Sequence, residues 1–137
     1  MNKQFNLLVI FFILLLSFVP IISAQETDNI PKNPILHADV PDPSVIRVDD
    51  TYYMSSTTMH MNPGVPIMKS KDLVNWEIVN YVYDILADNS KLALRNGQDA
   101  YGNGSWASSL RYHDDYFYVA FSSQSTGHTY IYKTKDI

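Results

Sequence analysis

Short runs of β-branched and aromatic residues recur along the chain after residue 43, and turn-forming residues separate most of them. The predicted strands are 44–48, 51–58, 65–70, 76–83, 108–112, 116–122 and 129–134. Asp49-Asp50 and His113-Asp114-Asp115 are predicted to be hairpin tips, because Asp tolerates turn conformations. Residues 84–94 could hold a short helix, although the pattern does not favour one. The sequence therefore predicts an all-β fold.

The most informative part of this pattern is an internal repeat. The segment Ile67–Leu73 (IMKSKDL) is matched by Ile131–Ile137 (IYKTKDI), 64 residues later. Two further pairs correspond upstream: 44–47 with 108–111 at the same offset, and 50–54 with 115–119 at an offset of 65. We assign the extra residue to the second hairpin tip and expect a shorter loop after it. Repetition of strand, tight turn, strand, loop and strand is typical of propeller blades.

The repeat predicts a β-propeller of which the chain holds the first blade and most of the second. The first unit extends from Pro43 to Tyr83 and includes a fourth strand, whereas the second reaches Ile137, where its fourth strand is expected to begin. Propellers have about four to eight blades, and repeats bury their cores against neighbours. We therefore expect the chain to be the amino-terminal part of a larger propeller. A complete seven-stranded β-sandwich is the alternative.

The first 24 residues have the pattern of an export signal. Lys3 precedes an uncharged run from Leu7 to Val19, and Ser23-Ala24 offers a small-residue cleavage site. An uncleaved anchor is the alternative, but the run is shorter than the about 20 residues that a membrane span needs. We predict a signal peptide over 1–24, a linker over 25–32 and the propeller part over 33–137. The protein is then expected to be secreted or periplasmic, without membrane contact after cleavage.

Composition narrows the classes of function. There are 14 acidic and 10 basic residues, which give a net charge of −4 and disfavour a grip on nucleic-acid phosphates. The chain contains no cysteine, which excludes disulfide scaffolds, thiolate metal sites and cysteine nucleophiles. The four histidines are not spaced as metal ligands. We predict no nucleic-acid partner, no metal site and no cofactor.

One carboxylate is distinguished by its position in the predicted fold. Asp42 lies between Pro41 and Pro43, immediately before the first strand, so two prolines restrict the backbone around it. In a propeller the innermost strand begins or ends at the central channel. A carboxylate held there can act as a general base on a water if a second carboxyl group stands across the substrate. An ordinary turn-forming Asp is the alternative interpretation.

A series of motifs in a fixed order resembles the start of glycoside hydrolase family 43. The motifs are NPIL (33–36), DVPDPSVIR (39–47), DTYYM (50–54), PGV (63–65), SKDL (70–73), NW (75–76) and SWASSLRY (105–112). The resemblance implies a five-bladed β-propeller that removes terminal xylose or arabinose from plant hemicellulose with inversion. The β-xylosidase and arabinofuranosidase group is most similar, and the implied partner is an oligo- or polysaccharide. Some members hold a calcium ion on the propeller axis, and nothing in this sequence demands one.

The resemblance also implies roles for individual residues. Asp42 resembles the general base of the family. Trp106, expected just before the inner strand of the second unit, resembles part of the sugar subsite wall, with Ala107 giving clearance beside it; a core aromatic is the alternative. Met59 and His60 stand where many β-xylosidases of the family have Phe-Glu. They are therefore candidate substrate-binding residues, and the choice between xylose and arabinose stays open.

The resemblance places the general acid, a Glu, and an Asp that tunes its pKa in later blades. Glu26 in the predicted linker and Glu77 in an outer strand are not credible substitutes. We therefore expect this chain alone to be inactive and not to fold stably. A function of another class is also open: a non-catalytic carbohydrate-binding propeller in which Asp42 and Trp106 only recognise the sugar.

Overall fold

The computed structural model describes residues 31–137, which form seven strands in two antiparallel sheets and no helix. Sheet A contains, in order, β1 (Ser44–Val48), β2 (Thr51–Ser55), β3 (Gly64–Ser70) and β4 (Glu77–Tyr83). Sheet B contains β5 (Ser105–His113), β6 (Tyr116–Ser123) and β7 (His128–Thr134). The all-β prediction is confirmed for these residues. The predicted export signal and most of the predicted linker lie outside them.

The strand pairing follows the internal repeat, with one correction. The tip between β1 and β2 is Asp49-Asp50, and the tip between β5 and β6 is Asp114-Asp115. The two tips are therefore equally long, and our assignment of the extra residue to the second tip is wrong. The register makes 44–48 equivalent to 109–113 at an offset of 65 throughout, and β5 has an extra residue further upstream, where the pairing slips between Trp106 and Ser109. Such a β-bulge places two residues of one strand opposite one residue of its partner.

Two strand boundaries differ from the prediction because the sheets contact each other at one edge. β2 ends at Ser55 rather than at residue 58, since the Thr57 N–H donates to the Pro41 carbonyl at 3.1 Å instead of continuing the sheet. β5 begins at Ser105 rather than at residue 108, and Ser105 forms an isolated antiparallel bridge with Thr58. The sequence of one strand does not reveal such a partner from another sheet.

The segment that joins β4 to β5 does not form the short helix considered above. Ala93 donates its N–H to the Asn89 carbonyl at 3.2 Å, which gives a single turn, and Leu94 follows with a left-handed φ of 53°. Leu92 is fully buried, and its carbonyl accepts the Asn62 N–H at 3.1 Å. This anchor holds the segment against the loop after β2. None of the described residues belongs to a helix long and apolar enough to cross a bilayer.

The hydrophobic core lies between the facing sides of the two sheets. Sheet A contributes Val65, Ile67 and Tyr83, and sheet B contributes Leu110, Phe117, Val119 and Phe121. Ile67 is 1% exposed, whereas Ile131, its counterpart in the repeat, is 73% exposed. The difference arises because sheet B covers Ile67, while no other described element covers Ile131. Sheet A also buries Met54 and Met68, 6% and 2% exposed, which pair across β2 and β3 and alternate with the inward-facing Ser55 and Ile67.

Candidate functional site

The candidate site lies at the edge where β1 and β5 begin and β2 ends. We call this edge the rim and define it as residues 39–44, 56–65 and 99–107. Backbone hydrogen bonds join the last two segments: the Ser105 N–H donates to the Thr58 carbonyl, and the Gly104 N–H to the Met59 carbonyl, both at 2.9 Å. All five predicted site residues lie in these segments: Asp42, Met59, His60, Trp106 and Ala107.

A residue that the sequence did not reveal, Thr57, links two of the predicted ones. Its hydroxyl Oγ1 donates a hydrogen bond to Oδ2 of Asp42 at 3.1 Å and accepts one from the Ala107 N–H at 2.9 Å. Thr57 is 5% exposed, whereas Asp42 is open to solvent. One carboxylate oxygen is thus held by the protein while the residue stays accessible. The signal in the sequence was the polar run that follows β2, at 55–58, which we took as strand.

Strained backbone surrounds this hydroxyl. Asp42 has a φ of 50° and Ala107 a φ of 23°, and Val65 nearby has a φ of 53° while its N–H donates to Thr58 Oγ1 at 3.0 Å. Left-handed conformations are uncommon outside glycine, above all for a β-branched residue such as Val. Residues held in this way cluster at active sites and ligand clamps. Left-handed residues also occur in the hairpin tips and in the segment after β4, so at the rim the strain accompanies the Asp42–Thr57–Ala107 contacts and does not identify the site by itself.

Trp106 lies within β5 rather than before it, because the strand begins at Ser105 and Trp106 pairs with Ser122. Its indole Nε1–H donates to the Gly102 carbonyl at 3.2 Å, and the residue is 37% exposed. The hydrogen bond fixes the indole without burying it. Its place in a sugar subsite wall, rather than in a propeller core, stays a prediction.

Met59 and His60 line a depression of about 260 Å³ on the other side of Thr57. Asp42 and Trp106 do not line this depression. Thr57 connects the two groups, because it lines the depression and also binds Asp42. The Nδ1 atom of His60 is enclosed and has no hydrogen-bond partner among the described residues. A sugar hydroxyl therefore cannot reach this nitrogen in the present arrangement, which leaves Nε2 as the atom available for such a bond.

Tyr83 pairs with Gly64, a residue of the rim, and its hydroxyl has a shifted pKa. It is 5% exposed, and burial raises the pKa of its hydroxyl above the ordinary value. A Cβ added to Gly64, its partner across β3 and β4, would lie 1.9 Å from that hydroxyl. Only glycine leaves room for the ring at this position. In residues 31–137, no group of three or more His, Asp or Glu is placed to hold a metal ion, so no residue is assigned to one.

The chain belongs to the glycosyl hydrolases family 43, because the model of that family matches residues 31–136. The resemblance drawn from the motifs is thereby confirmed. The match includes every segment of the rim and both sheets.

Individual relatives agree with this assignment. The chain is 46% identical over 96 residues to a beta-xylosidase of Formosa agariphila, which covers 69% of this chain and 16% of the relative. It is 39% identical over 88 residues to a non-reducing end alpha-L-arabinofuranosidase of Bacteroides ovatus, covering 64% and 16%. A solved bifunctional GH43-CE protein of Bacteroides eggerthii is 59% identical, with a TM-score of 0.72 over 78% of this chain and 14% of that one. The chain spans about a sixth of the length of these curated relatives.

Proposed function

We propose that this chain supplies the general-base part of a glycoside hydrolase that removes terminal xylose or arabinose from plant hemicellulose. The observation that carries the proposal is the accessible Asp42 carboxylate, with Oδ2 held by the Thr57 hydroxyl at 3.1 Å. Family membership and the names of the relatives, beta-xylosidase and alpha-L-arabinofuranosidase, support it. In this proposal the two sheets are consecutive blades of a five-bladed propeller, and the mature protein is secreted or periplasmic.

The proposed reaction divides the work between two carboxyl groups. Asp42 takes a proton from a water, and the water oxygen attacks the anomeric carbon from the face opposite the leaving group. A second carboxyl group, still protonated, gives its proton to the departing sugar oxygen as the glycosidic bond breaks. Inversion requires a separation of about 6.5–9.5 Å between the two carboxyl groups, which leaves room for the water. Because Thr57 occupies Oδ2, Oδ1 of Asp42 is the oxygen free to hold that water.

The second carboxyl group is expected in a part of the relatives that this chain does not span. We infer that Asp42 alone does not sustain turnover, because loss of one partner in an acid and base pair costs about 10²- to 10⁴-fold in rate. The intact chain should therefore release no nitrophenol from a nitrophenyl xyloside. Release that Asp42→Asn abolishes would show that the chain holds a complete site.

A chimera tests the proposal in an active context. Residues 31–136 replace the matching segment of the Formosa agariphila beta-xylosidase, and nitrophenyl xyloside and arabinofuranoside serve as substrates. We expect hydrolysis, and we expect Asp42→Asn to lower kcat by about 10²- to 10⁴-fold. Asp49→Asn is the matched control, since Asp49 lies at the opposite end of β1.

Two outcomes would contradict the proposal. Equal kcat values for the chimera and its Asp42→Asn variant would remove Asp42 from the reaction. A folded chimera that binds xylose without hydrolysing either substrate would favour the non-catalytic carbohydrate-binding propeller instead.

A further inference from the structure

We propose that Tyr101 and His60 form an aromatic wall next to Trp106 that binds the second sugar of a neutral pentose oligosaccharide. The inference rests on the proposed function, because it requires the terminal sugar to lie at Asp42. Neither the motifs nor the family match assigns a role to Tyr101. Four observations carry the inference: the position of Tyr101, its exposure, the rigidity of its loop and the chemistry around it.

The first observation is that continuous contacts join Tyr101 to the carboxylate. The Trp106 indole donates to the carbonyl of Gly102, the residue after Tyr101, at 3.2 Å. The residue after Trp106 donates its N–H to Thr57 Oγ1, and this hydroxyl contacts Asp42. Tyr101 therefore lies at the same rim as Asp42. In this series of contacts, Trp106 stands between the two residues.

The second observation is that the Tyr101 ring contacts the His60 ring and is nevertheless exposed to solvent. The Tyr101 and His60 rings lie 5.8 Å apart between centroids, with 35° between their planes, within the range of interacting aromatic pairs. Tyr101 is 72% exposed, compared with 41% for Tyr112 and 37% for Tyr81. An exposed aromatic ring offers an apolar face together with a polar edge, which suits the C–H face and the hydroxyls of a sugar.

The third observation is that hydrogen bonds and close packing fix the loop. The Tyr101 N–H donates to Asp99 Oδ1 at 3.0 Å, and its carbonyl accepts from Asn103 Nδ2 at 3.1 Å. Further along, a Cβ on Gly104 would lie 2.2 Å from the Thr58 carbonyl oxygen, so the two rim segments touch there. A ring presented by such a loop loses little conformational freedom when a ligand binds.

The fourth observation concerns the ligand class. The depression beside His60 is lined by one acidic residue, Asp39, and by no Lys or Arg of the described residues. This favours a neutral sugar over a uronic acid or a phosphorylated one. His60 is the third residue after Thr57, and an extended chain spans at most about 3.6 Å per residue. The His60 backbone thus lies within about 11 Å of Thr57, close enough for the sugar that follows the terminal one.

Binding of xylose and of xylotriose to the isotopically labelled chimera, kept from turnover by Asp42→Asn in the xylotriose experiment, tests the inference by NMR. We expect both sugars to shift the resonances of residue 42 and Trp106, and only xylotriose to shift those of Tyr101 and His60. Tyr101→Ala should weaken xylotriose binding by about tenfold, the loss of one aromatic contact, and leave xylose affinity unchanged. Tyr101→Phe should retain xylotriose affinity. Tyr112→Ala, at the other end of β5 from the rim, is the control for a lost exposed ring.

The outcomes separate this inference from the proposed function. Unchanged xylotriose affinity in Tyr101→Ala, with Asp42 and Trp106 still shifted by xylose, would overturn the wall and leave the proposed function intact. Equal losses in Tyr101→Phe and Tyr101→Ala would also overturn it, because the hydroxyl and not the ring would then carry the contact. If neither sugar shifts Asp42 or Trp106, the proposed function fails and the inference fails with it.

Discussion

At the scale of single residues, the Thr57 hydroxyl is one of the contacts that join the two sheets at the rim, and the one that reaches Asp42. It satisfies one oxygen of Asp42 and one backbone N–H of Ala107, and both of these residues have left-handed backbone. A hydroxyl that binds two strained neighbours can hold a carboxylate in one orientation. Orientation is what a general base needs, since it must be within hydrogen-bond reach of its water.

The first prediction compares two substitutions at this position. Thr57→Val removes the hydroxyl at nearly constant volume and should lower the free energy of unfolding by about 1–3 kcal/mol, because two hydrogen bonds are lost. Thr57→Ser keeps the hydroxyl and should cost less than Thr57→Val. Urea denaturation of the chimera, followed by circular dichroism, measures both values. A larger cost for Thr57→Ser than for Thr57→Val would mean that packing of the methyl group, and not the hydroxyl, holds the rim.

The sequence predicted Asp42 but could not predict Thr57, because the partners of Thr57 are distant from it along the chain. Asp42 was found because Pro41 and Pro43 are its immediate neighbours. The partners of Thr57 lie 15 and 50 residues away, and no local pattern encodes such contacts. Trp106 and Ala107 were placed at the rim by the repeat, whereas Tyr101 belongs to a segment that has no counterpart in the first unit.

At the scale of elements, the alternation of residues predicted the strands well where each strand pairs within its own sheet. The predicted β1 matches the structure at both ends, and the other strands are recovered with shifted ends. The largest differences are at the end of β2 and the start of β5, where the two sheets bind each other. The bulge in β5 also escaped prediction, because an extra residue in a strand has the same sequence signature as one in a turn.

The turn between β3 and β4 is organised by a single carboxylate. Asp72 accepts hydrogen bonds from the Asn75 N–H at 2.8 Å, the Asn75 side-chain amide at 2.7 Å and the Val74 N–H at 2.9 Å. These bonds, with the Asn75 N–H first, hold the pKa of Asp72 well below its usual value. Because the folded pKa is lower than the unfolded one, the stabilisation is present above the unfolded pKa and is lost as the pH falls towards the folded pKa.

The second prediction follows from the lowered pKa of Asp72 in the folded state. The urea midpoint of the chimera should fall as the pH is lowered from about 5 to about 3, through the ordinary pKa of Asp. Asp72→Ala should make that fall shallower. Asp136→Ala is the matched control, because Asp136 is the counterpart of Asp72 in the repeat and no described side chain donates to its carboxylate. An unchanged slope in Asp72→Ala would contradict the account of this turn.

At the scale of the whole molecule, the two sheets share one buried layer and leave apolar residues on their outer sides. On sheet A, Val45 and Ile78 are 47% and 56% exposed, and on sheet B, Ile131 is 73% exposed. In a ring of blades each of these sides would pack against another sheet. The repeat predicted that Ile67 and Ile131 are equivalent, whereas the difference in their exposure, 1% against 73%, comes from the structure.

The third prediction compares Ile67 with Ile131, its counterpart in the repeat. Ile67→Ala should lower the free energy of unfolding by about 2–5 kcal/mol, as expected for a large buried side chain. Ile131→Ala should change it by less than about 0.5 kcal/mol, as expected at the surface. The same denaturation experiment gives both numbers. Comparable losses at the two positions would show that the outer side of sheet B is covered in solution.

The central claim is that Asp42 activates water in an inverting reaction. The most direct measurement is the anomeric configuration of the sugar that the chimera first releases, followed by proton NMR of its anomeric signal. The account predicts an inverted configuration, formed at a rate that Asp42→Asn lowers by about 10²- to 10⁴-fold. Release of the retained configuration, or an undiminished rate in Asp42→Asn, would contradict it.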